Sequence, residues 1–329
     1  MRIVVALGSS ALGSPGGSCE ASLQQAHVIQ AVASLAPLAR CHELVVTYGS
    51  NPSLGLLALE TASDPTLVRP YPYDVLGAET QGMVGYWLVQ ALGNAVGERP
   101  SVAVLCRTVV DPADPAFLDP TVPVGPYYEE CEAHRLACEW GWHVRADGPA
   151  WRRVVAAPQP LDVVELPAIM TLLEAGSVVV CSGGGGVPVT VGRDGRLRGV
   201  EAVVDKDLTA AVVAEALGAD QLLIMTDVPA VQAGWGTPDA RPLGRVSVER
   251  LRAERFDRVI SPKVEAACRF VESTGRGAAI GRLEDVGALV SGVAGTQVLP
   301  HGDGAGRSRP FAGLHRLPAF GEAVVPLAT

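Results

Sequence analysis

Two lysines stand out among the charged residues of this 329-residue sequence. Of its 26 basic side chains only Lys206 and Lys263 are lysines, and each lies at the predicted start of a helix, beside Asp207 and after Pro262 respectively. A cation is disfavoured at the positive end of a helix unless an anion shares the site. Because lysine meets a phosphate oxygen as a compact point charge, we interpret both as phosphate contacts. Asp207 then orients the transferring group or a metal-bound water.

A run of four glycines follows a predicted buried strand: Gly183, Gly184, Gly185 and Gly186. Glycines there let backbone N–H groups approach a phosphate without an intervening Cβ. The run is not a Walker A loop, because no Gly-Lys-Ser/Thr follows it, and it lacks the G-x-G-x-x-G spacing. A structural turn and a phosphate loop are equally compatible with it. Similarly, an N-cap aspartate with solvated neighbours is the alternative for the segment at 205–207.

Other candidate nucleotide contacts also follow predicted strands. Gly8 ends the first strand, in MRIVVALGSS, and Thr226 and Asp227 follow the strand predicted at 221–225. Open α/β sheets bind their ligands at the carboxyl ends of strands. An ordinary strand exit is the alternative for Thr226 and Asp227.

Apolar runs alternate with helical patterns along the chain. The predicted strands are Ile3–Leu7, Glu43–Thr47, Val102–Leu105, Ser177–Cys181, Gln221–Met225 and Ala278–Gly281. The predicted helices are Glu20–Ala36, Gln81–Val96, Glu129–Glu139, Leu166–Ala175, Leu208–Leu217, Ser247–Ala253 and Ser261–Ser273. Continuous apolar strands fit a parallel sheet that is buried on both faces. The alternation therefore predicts a doubly wound, mostly parallel α/β fold with helices on both faces.

Composition excludes several classes of protein. The net charge of −9 and pI near 5.2 argue against a nucleic-acid-binding surface. No apolar run is long enough to span a bilayer, and the N-terminal sequence lacks a secretory signal pattern. Seven cysteines without a C-x-x-C pair indicate neither a disulfide framework nor a zinc site. We predict a cytoplasmic protein with no nucleic-acid or membrane partner.

Two segments differ in composition from the rest. Val110–Pro126 is proline-rich, which excludes a helix or a central strand and indicates a rigid loop or the root of a protruding lid. The segment 299–329 is rich in Gly, Pro and Arg, which favours a loosely packed extension over a functional lid or a dimer strap. We predict one domain at 1–298, with an acceptor-side half at about 1–175 and a nucleotide-side half at about 176–298.

Six ordered segments resemble the signatures of the carbamate kinases, over a stretch from Met1 to Val298. They are YPYDVLGAETQGMVGYWL (71–88), VVDPADPAF (109–117), CSGGGGVPV (181–189), GVEAVVDKDL (199–208), LIMTDVPAV (223–231) with WGTP (235–238), and SPKVEAACRF (261–270). The resemblance implies an amino-acid-kinase fold and a homodimer. It implies that the C-terminal half binds ATP or ADP with Mg²⁺, and that a phosphoryl group passes between ADP and carbamoyl phosphate.

The resemblance also assigns roles to matching residues. It gives catalysis and phosphate contact to Lys206, Asp207 and Lys263, the glycine turn to Gly183–Gly186, and nucleotide binding to Thr226 and Asp227. No protein-held metal site is predicted.

The acceptor-side loops depart from the pattern of that family. After the first strand, LGSSAL (7–12) stands where the family reads Leu-Gly-Gly-Asn-Ala, so Ser9 and Ser10 replace Gly and Asn. At the second loop, YGSNPS (48–53) stands in place of His-Gly-Asn-Gly-Pro-Gln. The candidate acceptor contacts are Ser9, Ser10, Gly49, Ser50, Asn51 and Arg107.

Two further departures change the charge of the predicted acceptor site. Val122 stands where the family has a lysine expected to reach the acceptor, and Arg107 stands in place of a Gln. Removing such a cation from a phosphoryl-transfer site lowers the rate by about 10²–10³. Arg107 is the candidate that restores the charge, with a different geometry. Three hypotheses follow: a kinase for another small acceptor, a carbamate kinase with substitute contacts, and a non-catalytic nucleotide-binding regulator.

Overall fold

The computed structural model describes residues 1–9 and 20–300, without the side chains of Asn51 and Pro52. Its helices in these ranges are α1 (Ala21–Cys41), α2 (Asn51–Ser63), α3 (Tyr73–Val96), α4 (Glu130–Trp140), α5 (Leu166–Glu174), α6 (Lys206–Ala216), α7 (Val248–Ala253), α8 (Ser261–Thr274) and α9 (Val286–Val290). The strands are β1 (Arg2–Leu7), β2 (Glu43–Tyr48), β3 (Ser101–Val104), β4 (Arg107–Val110), β5 (Val122–Tyr128), β6 (His143–Asp147), β7 (Ala150–Val155), β8 (Pro160–Val163), β9 (Val178–Cys181), β10 (Val187–Val191), β11 (Leu197–Gly199), β12 (Gln221–Thr226), β13 (Gln232–Ala233), β14 (Arg241–Pro242), β15 (Arg245–Ser247), β16 (Gly277–Arg282) and β17 (Thr296–Leu299). Ser10 and the segment after Pro300 lie outside the described residues.

An eight-stranded sheet forms the centre of the fold, in the order β15–β17–β16–β12–β1–β2–β9–β3. Neighbouring strands are parallel except β16 and β17, which pair antiparallel. β1 lies between β12 and β2, and its residues Ile3 to Leu7 are fully buried. A strand covered on both faces has no side that requires polar residues, which explains the continuous apolar run.

Helices cover both faces of this sheet. Ile3, Val5 and Leu7 pack in one core with α1 and α3. Val4 and Ala6 pack in another with α5, α6 and α8. Successive side chains of a strand point to opposite faces, so β1 contributes alternately to the two cores. The predicted doubly wound α/β fold is confirmed.

All six predicted strands and all seven predicted helices are present, with shifted ends. The largest shift is in α3, which begins at Tyr73 rather than Gln81, directly after the extended residue Pro72. Helix α2 was not predicted, because its first residues belong to the loop sequence YGSNPS. A proline in the first turn is compatible with a helix, since its missing N–H has no partner there.

Besides the central sheet, the described residues form three smaller sheets, one of which is the two-stranded pair β13–β14. β11, β10, β4 and β8 form a four-stranded sheet, and β5, β7 and β6 form a three-stranded sheet next to α4. The proline-rich segment Val110–Pro126 contains a short 3-10 helix, Pro115–Phe117, so the exclusion of any helix there was wrong. Its end enters the three-stranded sheet, where β5 is an edge strand paired antiparallel with β7. An edge position tolerates proline, because one side of the strand makes no ladder hydrogen bonds. Its role as a lid stays a prediction.

Candidate active site

Helix α6 positions Lys206 and Asp207 in its first turn. Asp205 is the N-cap residue, and its Oδ1 accepts the backbone N–H groups of Asp207 at 2.8 Å and Leu208 at 3.0 Å. Such a cap satisfies N–H groups that have no partner within the helix. The N-cap interpretation and the site interpretation of this segment are therefore compatible, since the cap fixes the turn that carries both side chains.

Helix α8 brings Lys263 to the same carboxylate. The Nζ atom of Lys263 lies 2.8 Å from Oδ2 of Asp207, and Nζ of Lys206 lies 2.5 Å from Oδ1. The side chain of Asp207 is 3% exposed, while those of Lys206 and Lys263 are 12% and 11% exposed. The structure thus supplies an anion beside Lys263, the Asp207 carboxylate of a different helix, so the helix-dipole reasoning does not by itself require a bound phosphate there.

The charges of this cluster are strongly coupled. Burial by itself would raise the pKa of the Asp207 carboxyl, but the Lys206 and Lys263 ammonium groups outweigh it and hold the pKa below its ordinary value. Burial lowers the pKa of Lys206, an effect that Asp207 offsets only in part. Burial, and then the neighbouring Asp207 charge, raise the pKa of the Asp205 carboxyl. The lining of the cavity around this cluster carries four cationic side chains, Lys206, Lys263, Arg152 and Arg258, against the two carboxylates Asp205 and Asp207, and this excess of positive charge favours a bound anion.

The glycine turn connects β9 to β10 and packs against the start of α6. The carbonyl oxygen of Gly185 accepts the hydroxyl of Thr108 at 2.6 Å and that of Thr209 at 3.0 Å. A Cβ on Gly185 would overlap the carbonyl oxygen of Val204, and one on Gly184 would lie 2.5 Å from Oγ of Ser50. The run is therefore a tightly packed structural turn, and Gly184 is the member that also lines the site.

A cavity of about 500 Å³ contains the cluster. Lys206, Asp207 and Lys263 line it together with three predicted residues, Ser9, Gly49 and Gly184. Strand β5 contributes a wall, Val122–Gly125, that carries no charged side chain. The structure thus brings the predicted phosphate-side residues together with part of the predicted acceptor loops.

The predicted nucleotide contacts Gly8, Thr226 and Asp227 line a neighbouring cavity of about 340 Å³, with Arg282 and Glu284. Gly8 is followed directly by Ser9 of the main cavity, so the two cavities lie next to each other at the end of β1. Thr226 Oγ1 is 3.2 Å from Oδ1 of Asp227. Thr226 is the last residue of β12 and Asp227 follows it, so both lie at the carboxyl end of this strand, as the sequence predicted. These residues and Gly8 do not line the cavity that contains Lys206 and Lys263.

Arg107 is not placed at the acceptor cavity. Its Nε lies 2.6 Å from Oε1 of Glu165, and its backbone N–H donates to Oε2 of the same residue at 2.7 Å. The guanidinium is therefore neutralised at the start of β4 and cannot replace the charge absent at Val122. The expectation that Arg107 restores this charge is not supported.

The second loop is only partly at the cavity. Gly49 lines it, but Ser50 is buried, with Oγ 3.3 Å from Oγ1 of Thr80. Tyr48 lies behind the glycine turn, where its hydroxyl donates to the carbonyl of Gln81 at 2.9 Å. Ser10 and the side chain of Asn51 lie outside the described residues.

Two arginines of the cavity were missed from the sequence, Arg152 and Arg258. Arg258 lies five positions before Lys263, so its closeness to the SPKVEAACRF segment was an available signal. Arg152 lies on β7, and no motif marked it.

Neither a metal cluster nor a membrane-spanning helix is present in residues 1–9 and 20–300. No group of three or more His, Cys, Asp or Glu side chains there could hold a metal ion. No helix in those ranges is both long and apolar enough to cross a bilayer.

Comparisons with known proteins agree with this architecture. Residues 1–281 match the model of the amino acid kinase family. The carbamate kinase of Rhizobium meliloti is 46% identical over 301 residues, covering 90% of this chain and 92% of that protein. The carbamate kinase of Haemophilus influenzae is 44% identical over 306 residues, covering 92% and 98%. The structure of the Giardia lamblia carbamate kinase bound to AMP-PNP superimposes with a TM-score of 0.86 at 32% identity, covering 91% of this chain and 98% of that one.

Proposed function

Since this chain belongs to the amino acid kinase family and is a kinase, we propose that it transfers a phosphoryl group between a magnesium nucleotide and a small carboxylate- or carbamate-type acceptor. The nucleotide is ATP in one direction and ADP in the other. The Giardia lamblia relative binds AMP-PNP, an ATP analogue, which supports this choice of nucleotide.

The proposal for the acceptor rests on the fact that both carboxylate oxygens of Asp207 already accept hydrogen bonds from lysines. A hydroxyl acceptor needs a general base to take its proton. Both oxygens of Asp207 accept from lysine ammonium groups, and Asp205 caps α6. Among the described residues lining the cavity there is no histidine and no third carboxylate. An acceptor oxygen that is already ionised needs no base, which favours carboxylates and carbamates.

The transfer then needs positioning and charge rather than proton movement. An anionic oxygen of the acceptor forms a bond to the γ-phosphorus while the bond to the bridging oxygen breaks, and ADP leaves with that electron pair. Charge spreads over the phosphoryl and leaving oxygens in the transition state. Lys206 and Lys263 neutralise it, and Asp207 holds their ammonium groups in position. Magnesium bound to the nucleotide phosphates would supply further neutralisation.

The acceptor that we propose is not carbamate itself. Val122 lies on the cavity wall at the position where the family resemblance leads one to expect a lysine, and Ser9 lines the same cavity in place of a glycine. A site rejects ligands that leave its polar groups unpaired. The altered charge and side chains therefore favour another anion of the same chemical class.

Carbamate kinase activity is the second candidate. It is favoured by the identities of 46% and 44% to carbamate kinases over nine-tenths of the chain. In that case other cationic side chains of the cavity replace the expected lysine.

Steady-state transfer assays separate the two candidates. ATP formation from ADP and carbamoyl phosphate is compared with ATP consumption in the presence of acetate, malonate, succinate and carbamate. Transfer to a carboxylate with carbamate turnover at least about 10²-fold weaker supports the first candidate. Efficient carbamoyl phosphate turnover supports the second. Calorimetry that detects no Mg-ATP or Mg-ADP binding at millimolar concentration contradicts both.

A homodimer and a cytoplasmic location belong to the same proposal, and both rest on the family resemblance. Light scattering of the purified chain measures the first directly.

A further inference from the structure

Arg258 lies in the loop between α7 and α8, at the edge of the main cavity. It also lines an adjoining cavity of about 400 Å³, and Pro123 of β5 lines both. Arg258 and Pro123 therefore lie at the boundary between the two spaces. Arg258 thus lines the main cavity together with the β5 wall on which Val122 supplies no charge.

The loop that carries Arg258 has a fixed backbone. Oδ1 of Asp257 accepts the N–H groups of Val259 and Ile260, both at 2.8 Å, and the carbonyl of Asp257 accepts the N–H of Ser261 at 2.9 Å. Side-chain bonds of this kind hold a turn in one conformation. Helix α8 begins at Ser261 and carries Lys263, so the turn holds the Arg258 backbone in a fixed relation to the lysine cluster.

The other cations of the cavity already have partners. Lys206 and Lys263 share Asp207. Arg152 donates to the Gly125 carbonyl at 3.0 Å, lies 3.3 Å from Oδ2 of Asp147 and stacks over a tyrosine ring. Within residues 1–9 and 20–300, Arg258 makes no ion pair or side-chain hydrogen bond. Among the described cationic side chains of the cavity it is thus the one whose charge no carboxylate pairs with.

We propose that Arg258 binds a carboxylate at the end of the acceptor that does not receive the phosphoryl group. A guanidinium pairs with a carboxylate through two parallel hydrogen bonds. An acceptor of carbamate size has only one anionic group, which the transfer at the lysine cluster uses, so it has no second carboxylate for Arg258. The cavity then selects short dicarboxylates. This assignment rests on the proposed function, which identifies the lysine cluster as the site of transfer.

Calorimetry tests the assignment independently of turnover. Malonate, succinate and acetate are titrated into the protein loaded with Mg-AMP-PNP, for the unmodified chain and for Arg258→Gln, Arg258→Lys and Arg255→Gln. Arg255 is a matched control, because it is exposed near the same loop and does not line the cavity.

At least one dicarboxylate should bind the unmodified protein about tenfold or more tighter than acetate. Arg258→Gln should abolish that preference, Arg258→Lys should retain part of it because charge remains without the fork, and Arg255→Gln should leave it unchanged. The assignment is overturned if no dicarboxylate binds more tightly than acetate, or if the glutamine variants at 255 and 258 behave alike. Arg258-dependent binding without phosphoryl transfer to any carboxylate would count against the proposed function and would still support this binding role.

Discussion

Nζ of Lys206 lies 2.5 Å from Oδ1 of Asp207, its neighbour in the sequence, inside a largely buried cluster. Asp207→Asn would remove the one negative charge between two ammonium groups. Breaking a buried ion pair by neutralising one partner destabilises a fold by about 3 kcal/mol, and the lysines would lose their positions. We expect turnover to fall by about 10² or more. Chemical denaturation and steady-state assays measure the two effects.

Glu215→Gln is the control for this prediction, since it neutralises a carboxylate on the same helix outside the cavity. An Asp207→Asn protein with normal stability and turnover would contradict the role of Asp207.

Replacing either lysine by arginine should lower turnover by about tenfold or more, because the charge stays while the geometry changes. The side chains of Lys206 and Lys263 are only 12% and 11% exposed, and both contact Asp207. Because the space around them is limited, a planar guanidinium cannot take the position of either ammonium group. Stability should change by less than about 1 kcal/mol, as the pairing with Asp207 persists. Arg250→Lys on α7 is the converse exchange at an exposed position. Full activity in both arginine variants would show that lysine is not required.

The pH dependence should reflect the lowered pKa of Lys206, which has burial as its main cause. As pH rises, Lys206 should lose its proton below the value of about 10.4 that is typical of a free lysine. The kcat/KM for the nucleotide should therefore fall at a lower pH than in an enzyme with an unperturbed lysine. In Lys206→Arg the residual activity should lose this alkaline decline, because arginine does not titrate there. An identical decline in the variant would assign it to another group.

The same shifts make stability rise with pH for both residues, in two different pH windows. In the interval between the lowered pKa of Lys206 and about 10.4, the unfolded chain binds more protons, so this residue makes the fold more stable as pH rises. The pKa of Asp207 is lowered, because its lysine partners outweigh burial. Its contribution is present above about 3.9 and is lost as pH falls through the folded-state value. Urea denaturation at several pH values, with Asp207→Asn for comparison, measures both slopes.

Arg153 should hold the three-stranded sheet against the rest of the fold. Its Nη2 lies 2.5 Å from Oε2 of Glu201, and its guanidinium stacks over the rings of Tyr73 at 4.8 Å and Trp142 at 4.3 Å. Arg153→Met should destabilise the protein by about 2 kcal/mol. Because β5 carries the cavity wall, KM for the acceptor should rise while KM for the nucleotide stays constant. Equal rises of both KM values would contradict this role.

The sequence predicted Lys206, Asp207 and Lys263 as site residues, in part because a cation at a helix N-terminus is disfavoured unless an anion shares the site. It did not predict that both lysines pair with Asp207, since Lys263 lies 56 positions away from it.

The ion pair of Arg107 with Glu165 could not be predicted, because Glu165 is 58 positions away and only the folded chain brings the two residues together. Arg152 was missed because no local rule distinguishes a cavity arginine from a solvated one, whereas Arg258 had a signal in its closeness to the SPKVEAACRF segment. The sheet strands were predictable because burial on both faces leaves a continuous apolar pattern, whereas the mixed pattern of β6 and β7 does not.

The acceptor loops give the prediction that separates the candidate functions. Val122 and Ser9 line the cavity, so the unmodified protein should form ATP from ADP and carbamoyl phosphate with kcat/KM at least about 10²-fold below that of an ordinary carbamate kinase. Val122→Lys combined with Ser9→Gly and Ser10→Asn should raise this activity, because the ammonium returns to the wall that now lacks charge. Val122→Met, which adds length without charge, is the control and should not raise it. Efficient carbamoyl phosphate turnover by the unmodified chain would contradict the altered acceptor and leave carbamate kinase activity as the function.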